Sequence, residues 1–523
     1  MSEPLFTSED IDLLRASGIP DRDLVRQMEF FRQPPQPVKL ERPATLGEGI
    51  QSLSDREVER YGQVYDAARR AGRGLKFVPA SGAGTRVFKS FHVLPPEELN
   101  RESLRRSSGG GNAAAGEVLE CMENLPRFPF FDDLKAGLKK RKLDVAGLLK
   151  RGQYADIVHF LLDKDGLDLA SRPKGLLPLH QYKKEVRTPF EEHLLESLEL
   201  TRTEGDVCRA HFTVADDYLE EFQWFARKCV PTAEKKHKVK FDLSFSVQKR
   251  STHTLAVDME NRPFRRADGR LLLRPGGHGA LIENLNDLNG DIVFIKNIDN
   301  AAPARLQGEV VRWKKALGGL LIELQEEIFR LMTWLESRPE DDGVIDQAFR
   351  LLLGRLSITV PPSVRQGSRM EHRRFLMSKL NRPLRVCGAV ENTGEPGGAP
   401  FWVQAKSGEQ SIQIVEQHQV DPNSSDQQAI FAEATHFNPV DIVCALRDRT
   451  GRPFDLRRHV DPSAVFIAKK SEAGRELKAL ERPGLWNGGM ADWNTVFVEV
   501  PAGTFNPFKT LRDLLRDGHR AEI

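Results

Sequence analysis

At 523 residues the chain has room for two to four domains, or for one large core with additions, and its 39% hydrophobic content argues against wholesale disorder. Its 77 basic and 75 acidic residues leave a net charge of only +2, so no broad electrostatic footprint for nucleic acid is present. No run of about 18 apolar residues suggests a membrane span, the opening MSEPLFTSEDIDLL does not read as a signal peptide, and five cysteines without a Cys-x-x-Cys pair support neither a disulfide framework nor a zinc ribbon.

Residues 1–72 read as a helical N-terminal region. Ser8 and Asp10 ahead of Ile11, Leu13 and Leu14 predict a capped amphipathic helix. Pro34, Pro35 and Pro37 break the chain before a second helix near 54–71. Leu75 to Pro79 is a short apolar run, read as a strand, that ends in Ser81-Gly82-Ala83-Gly84-Thr85-Arg86. A helical insertion is expected at about 90–170 within a core spanning 73–303, and the small-residue tract Ser107 to Gly116 reads as a mobile linker. Strands are predicted at 211–214, 241–247 and 291–298, with a helix at 215–228 between the first two. A long amphipathic helix near 304–336 opens a helical segment to 380. The C-terminal part, 381–523, is rich in short strands, at 384–390, 411–416 and 494–500. This alternation predicts an α/β fold with a mostly parallel mixed sheet flanked by helices.

Five segments are candidates to carry chemistry. In Gly82-Ala83-Gly84-Thr85-Arg86 two glycines permit close backbone approach, backbone N–H groups can surround a phosphate, and Arg86 adds a cationic fork. By itself a Gly-x-Gly turn after a strand is about as often just a tight turn. Arg172-Pro173-Lys174-Gly175 supplies a second cation. The glycines of Gly276-Gly277-His278-Gly279 form a flexible loop before a helix, which alone would read as a connector. Asp299, closing the strand at 291–298, stands where open parallel sheets gather ligands, and could hold Mg²⁺ or simply cap a turn. Phe505 to Lys509 offers a late lysine. No nucleophile–base pair and no His-Glu-x-x-His motif stands out among the 13 histidines.

Taken in order, these motifs resemble the nucleotidyltransferases that make nucleotide sugars, and most of all the UDP-N-acetylhexosamine pyrophosphorylase group. Gly82, Gly84, Thr85 and Arg86 match its Gly-x-Gly-Thr-Arg loop and Pro173-Lys174 its Pro-Lys. Pro275 to Ala280, Asp299-Asn300 and Phe505 to Lys509 follow in the family's order, with looser matches at Glu395 to Gly398 and Val415-Glu416. The whole chain looks most like an uncharacterised bacterial family known only as a domain of unknown function. About 85 residues separate Arg86 from Lys174, far more than in typical members, and His278 replaces the family's Asn.

The resemblance implies a GT-A-like fold and a cytoplasmic, Mg²⁺-dependent enzyme that joins a nucleoside triphosphate to a sugar 1-phosphate and releases pyrophosphate. Arg86, Lys174 and Lys509 would be catalytic. Gly82, Ala83, Gly84, Thr85, Gly276, Gly277, His278 and Gly279 would hold the nucleotide, and Asp299 with Asn438 or Asp492 the metal. A GT-A glycosyltransferase using a nucleotide sugar, and a non-catalytic nucleotide-sugar-binding protein, are the competing readings. Neither nucleic acid nor membrane is an expected partner.

Overall fold

The computed structural model describes residues 5–394, 397–405 and 407–521, and for residues 438–440 the backbone alone. Its centre is a nine-stranded sheet. In chain order the strands are β1 (Thr45–Leu46), β2 (Gly49–Gln51), β3 (Gly74–Pro79), β4 (Val207–Val214), β5 (Lys240–Val247), β6 (Ile292–Ile295), β7 (Leu384–Glu391), β8 (His436–Ala445) and β9 (Asn494–Glu499). They lie side by side as β1-β2-β9-β7-β8-β6-β3-β4-β5. Every neighbouring pair is parallel except the two made by β8, which runs against β6 and β7. This is the expected mostly parallel mixed sheet, with helices on both faces.

Alternation along the strands sorts side chains between the two faces. Ile292 and Phe294 of β6 join one core with Val443 and Ala445 of β8, while Val293 and Ile295 join the opposite core with Ile442 and Cys444. The first face is covered by helices α1 (Asp55–Arg70) and α4 (Ala304–Ser337). Ser54 opens α1 with a capping box to Glu57. Gly318 and Gly319 let α4 approach α1 closely: a Cβ at Gly318 would sit 2.7 Å from the Tyr65 ring, and one at Gly319 would collide with the Tyr61 carbonyl. Helix α2 (Pro189–Leu200) packs beside α4, and its Phe190 joins Phe212 of β4 and Phe222 of α3 (Leu219–His237) in an aromatic cluster.

Several sequence expectations change. The N-terminal region is helical at Ser8–Ala16, Asp21–Arg32 and α1, yet it also supplies β1 and β2 at one sheet edge. A third short strand, Leu40–Pro43, pairs with Ala399–Gln404, which in turn pairs with Gln410–Val415 in a separate three-stranded sheet. The strand expected at 291–298 spans only 292–295, although Lys296 N–H and Ile298 N–H still reach the β3 carbonyls of Phe77 and Pro79 at 3.3 and 3.0 Å. The tract Ser107 to Gly116 is no linker. It ends a helix at Gly109 and starts another at Ala113, whose first turn is capped by Asn112. The insertion it belongs to has its own hydrophobic core, closed by Phe508, Leu511 and Leu514 of the C-terminal segment.

Candidate functional site

The glycine loop leaves the carboxyl end of β3 and is fixed by two neighbours. Ala80 N–H donates to the Thr213 carbonyl at 2.7 Å, and Ala83 pairs with Pro173 through Gly84 N–H to Arg172 O (2.8 Å) and Lys174 N–H to Gly82 O (2.9 Å). The long insertion therefore leaves the sheet at Arg86 and returns beside Gly82. Gly84 is dictated by this return: a Cβ there would stand 2.6 Å from the Arg172 carbonyl and 2.7 Å from that of Leu169. Gly82 is not, because a Cβ would meet only the Lys174 side chain at 3.6 Å, an ordinary contact. The N–H groups of Ser81, Gly82, Ala83 and Thr85 donate to no backbone carbonyl among the described residues. Thr85 and Arg86 are exposed, and Arg86 has no ion-pair partner among the described residues.

Lys174 is buried and donates to Asp299 Oδ2 at 2.8 Å, with its ammonium 4.7 Å from the centre of the Phe508 ring. Asp299 lies just beyond β6. Its carbonyl accepts from Phe508 N–H (3.0 Å), and Asn300 Oδ1 accepts from Asn506 N–H (2.9 Å), so the Phe505 to Lys509 segment is laced to the Asp299-Asn300 turn. Beyond it, Asp513 accepts from Lys509 N–H at 2.7 Å and Thr510 N–H at 2.8 Å. Asp299, Asn300, Lys509, Lys296, Asp441, Glu416 and Trp486 line a cavity of about 180 Å³. The Glu416 carboxyl is pushed up by burial.

Gly276 to Gly279 meets this cavity only indirectly. A Cβ at Gly276 would lie 2.5 Å from the Thr252 carbonyl, one at Gly279 would collide with the Pro483 carbonyl, and Gly277 has φ +75°. The loop's glycines are thus used up by packing on residues 481–484. His278 accepts from Leu485 N–H at Nδ1 (3.1 Å) and lies against Trp486 with ring centres 4.6 Å apart. Burial holds the imidazole down at about 4, so it is neutral near pH 7 and acts as a backing for the Trp486 wall.

Of the other two metal candidates, Asp492 alone can be placed. The Asn438 side chain, Glu395 and Pro396 lie outside the described residues. Asp492 does not line the cavity. It is paired with Arg382 at 2.5 Å and with His459 at 3.6 Å. Among the described residues, the group of His, Asp and Glu close enough to share an ion is His159, Asp163 and Asp165, mostly exposed on the insertion.

What sequence reasoning missed is a buried charge network on the α4 face. Lys76 of β3 donates to Glu196 Oε2 at 2.8 Å and to the His193 carbonyl at 2.7 Å. Glu196 also pairs with Lys314 of α4, which reaches Asp441 Oδ1 at 3.1 Å. Asp441 Oδ2 lies 3.6 Å from Lys296, and Lys296 donates to Thr504 O at 3.4 Å. Burial holds all three ammonium groups below the usual lysine range. Singly, each lysine reads from sequence as a surface residue. Only the even-numbered register of Lys76 with Val78, and of Lys296 with Ile292 and Phe294, hinted that they face inward.

The fold and site together define an α/β protein with an open glycine loop, several of its N–H groups unused, near a lysine-lined cavity at the carboxyl end of a mostly parallel sheet. The chain belongs to the family described as Domain of unknown function (DUF4301), which matches residues 7–520. No curated protein matches the chain. Among solved structures it is similar to a UDP-N-acetylglucosamine pyrophosphorylase from Trypanosoma brucei, in complex with inhibitor, at 12% identity over 93% of this chain and 71% of that one, with a TM-score of 0.47. It is likewise similar to a mutant UDP-glucose pyrophosphorylase from Leishmania major, in complex with UDP-glucose, at 11% identity, 99% and 82% coverage and a TM-score of 0.47. No helix among the described residues is long and apolar enough to cross a membrane.

Proposed function

We propose that this protein is a nucleotidyltransferase that joins a nucleoside triphosphate to a sugar 1-phosphate and releases pyrophosphate. The observation that carries the reading is a chain of contacts between four stretches remote in sequence: Gly82 is bonded to Lys174, Lys174 pairs with Asp299, and Asp299 lines one cavity with Lys509.

In the reaction, a phosphate oxygen of the sugar 1-phosphate attacks the α-phosphorus, a new P–O bond forms, and the bond to the β-phosphate breaks. The attacking group is already an anion near pH 7, so no general base is required. Catalysis is then positioning plus charge stabilisation. The free N–H groups of Ser81, Gly82, Ala83 and Thr85 cradle triphosphate oxygens, and Arg86 and Lys174 neutralise charge on the α-phosphate. Lys509 takes the sugar phosphate.

A divalent ion such as Mg²⁺ fits through Asp299. Its Oδ1 accepts no hydrogen bond from a described residue, and its side chain is 27% exposed, whereas both oxygens of Asp441 already face lysines. When bound, Mg²⁺ would supply charge neutralisation between phosphate groups, for which a single protein carboxylate suffices.

Incubation with a panel of nucleotide sugars plus pyrophosphate tests the reading. Nucleoside triphosphate is expected to form. Transfer of the sugar to an acceptor, with release of a nucleoside diphosphate, would instead identify a glycosyltransferase, and binding without turnover a non-catalytic binding protein.

A further inference from the structure

The buried network holds three lysines, Lys76, Lys314 and Lys296, against two carboxylates, Glu196 and Asp441. Nearby His193 does not alter the balance. Burial holds it well below the usual histidine range, and its Nε2 faces the Ile298 carbonyl at 3.2 Å. By direct contacts the cluster thus sets three lysines against two carboxylates, with buried Glu192, which also attracts Lys76, engaged by His180 and Arg187, in a place where an unpaired ion is costly.

The excess can be located. Lys76 has partners at 2.7 and 2.8 Å, and Lys314 bridges both carboxylates. Lys296 has the longest contacts, 3.6 Å to Asp441 and 3.4 Å to the Thr504 carbonyl, and is the one lysine of the three that lines the cavity. Its side chain is only 2% exposed, so bulk water does not solvate it fully. The least satisfied ammonium of the network thus faces a space able to bring it an anion.

We infer that Lys296 is an anion-binding residue at the cavity floor, that it takes a phosphoryl oxygen of the second substrate, and that Asp441 positions it. The inference builds on the proposed transfer reaction for the identity of the anion. Asp441, held from its other oxygen by Lys314, fixes the Lys296 ammonium without neutralising the cluster, and the ligand phosphate completes the charge balance.

The test is titration calorimetry and thermal melting with inorganic phosphate and, separately, glucose 1-phosphate, on the wild type and on Lys296→Met. Phosphate affinity is expected to fall at least about tenfold in the variant, as for loss of a charge-assisted contact. The phosphate-induced rise in Tm should vanish. Ligand-free Lys296→Met should melt at or above the wild-type temperature, because two lysines then face two carboxylates. A purely structural cation would show the reverse, a lower ligand-free Tm with unchanged phosphate affinity, and that result overturns the inference. Lys296→Gln, polar but uncharged, should behave as the Met variant, and wild-type phosphate binding by it overturns the inference equally. If no substrate pair releases pyrophosphate while phosphate binding still depends on Lys296, the transfer reaction falls and the anion site stands. Full turnover by Lys296→Met would do the opposite.

Discussion

The glycine loops at Gly82 and at Gly276 to Gly279 differ in what the missing side chains make room for. Around Gly276 to Gly279 the space is filled by the protein itself, by the carbonyls of Thr252 and Pro483 and the Glu481 side chain. Around Gly82 it is open, with unused N–H groups and an exposed Arg86 alongside. Similar composition therefore serves packing throughout one loop, whereas in the other Gly84 is spent on packing and Gly82 is left free to serve a ligand. What a Cβ would meet, rather than the glycine count, separates the two cases.

The comparison breaks most visibly at the open loop. Arg86→Ala is expected to lower turnover roughly 100-fold, ~2.7 kcal/mol of transition-state stabilisation, with an unchanged melting temperature. Steady-state kinetics and a melt on the same preparation check it. If instead Arg86→Ala unfolds the protein, the open loop is structural after all.

The closed loop should respond to acid. His278 titrates at about 4 in the fold against 6.5 in an unfolded chain, because burial disfavours its charged form. Stability from this group is complete above pH 6.5 and is lost as pH falls toward 4, by up to ~3 kcal/mol at 1.36 kcal/mol per unit. His211, buried between Ser244 and Ser246 and also held at about 4, acts in the same direction. Urea midpoints at pH 7 and 4.5 should show the loss, and His278→Gln should reduce it, leaving the share of His211.

Gly279→Ala should cost about 1–3 kcal/mol of stability, since the new methyl group must displace the Pro483 backbone. Gly82→Ala, the smallest effect, should change stability by less than about 0.5 kcal/mol while weakening triphosphate binding. Equal stability losses at the two positions would erase the distinction between the loops.

Much of the fold was legible from sequence, because the apolar run of Ile292 to Ile295, the alternation of Phe241 to Val247 and the periodicity of Ala304–Ser337 are local properties. The strands at 40–51 were not, being short pieces that gain order only by pairing with β9 and with Ala399–Gln404. Within the site, Gly82, Lys174, Asp299 and Lys509 were legible as motifs. That the insertion returns Lys174 to Gly82 is a tertiary fact that no spacing discloses. The Lys76, Lys314 and Lys296 network was hidden for the same reason, since each lysine acquires its partner from another element.

The central claim, nucleotidyl transfer at the open loop and the Asp299 cavity, is tested most directly by pyrophosphate release. The four common nucleoside triphosphates would be assayed against hexose 1-phosphates with Mg²⁺, using wild type and Asp299→Ala side by side. The expected result is pyrophosphate only when both substrates are present, and its loss in a folded Asp299→Ala protein. A folded Asp299→Ala protein that releases pyrophosphate at the wild-type rate would contradict the account.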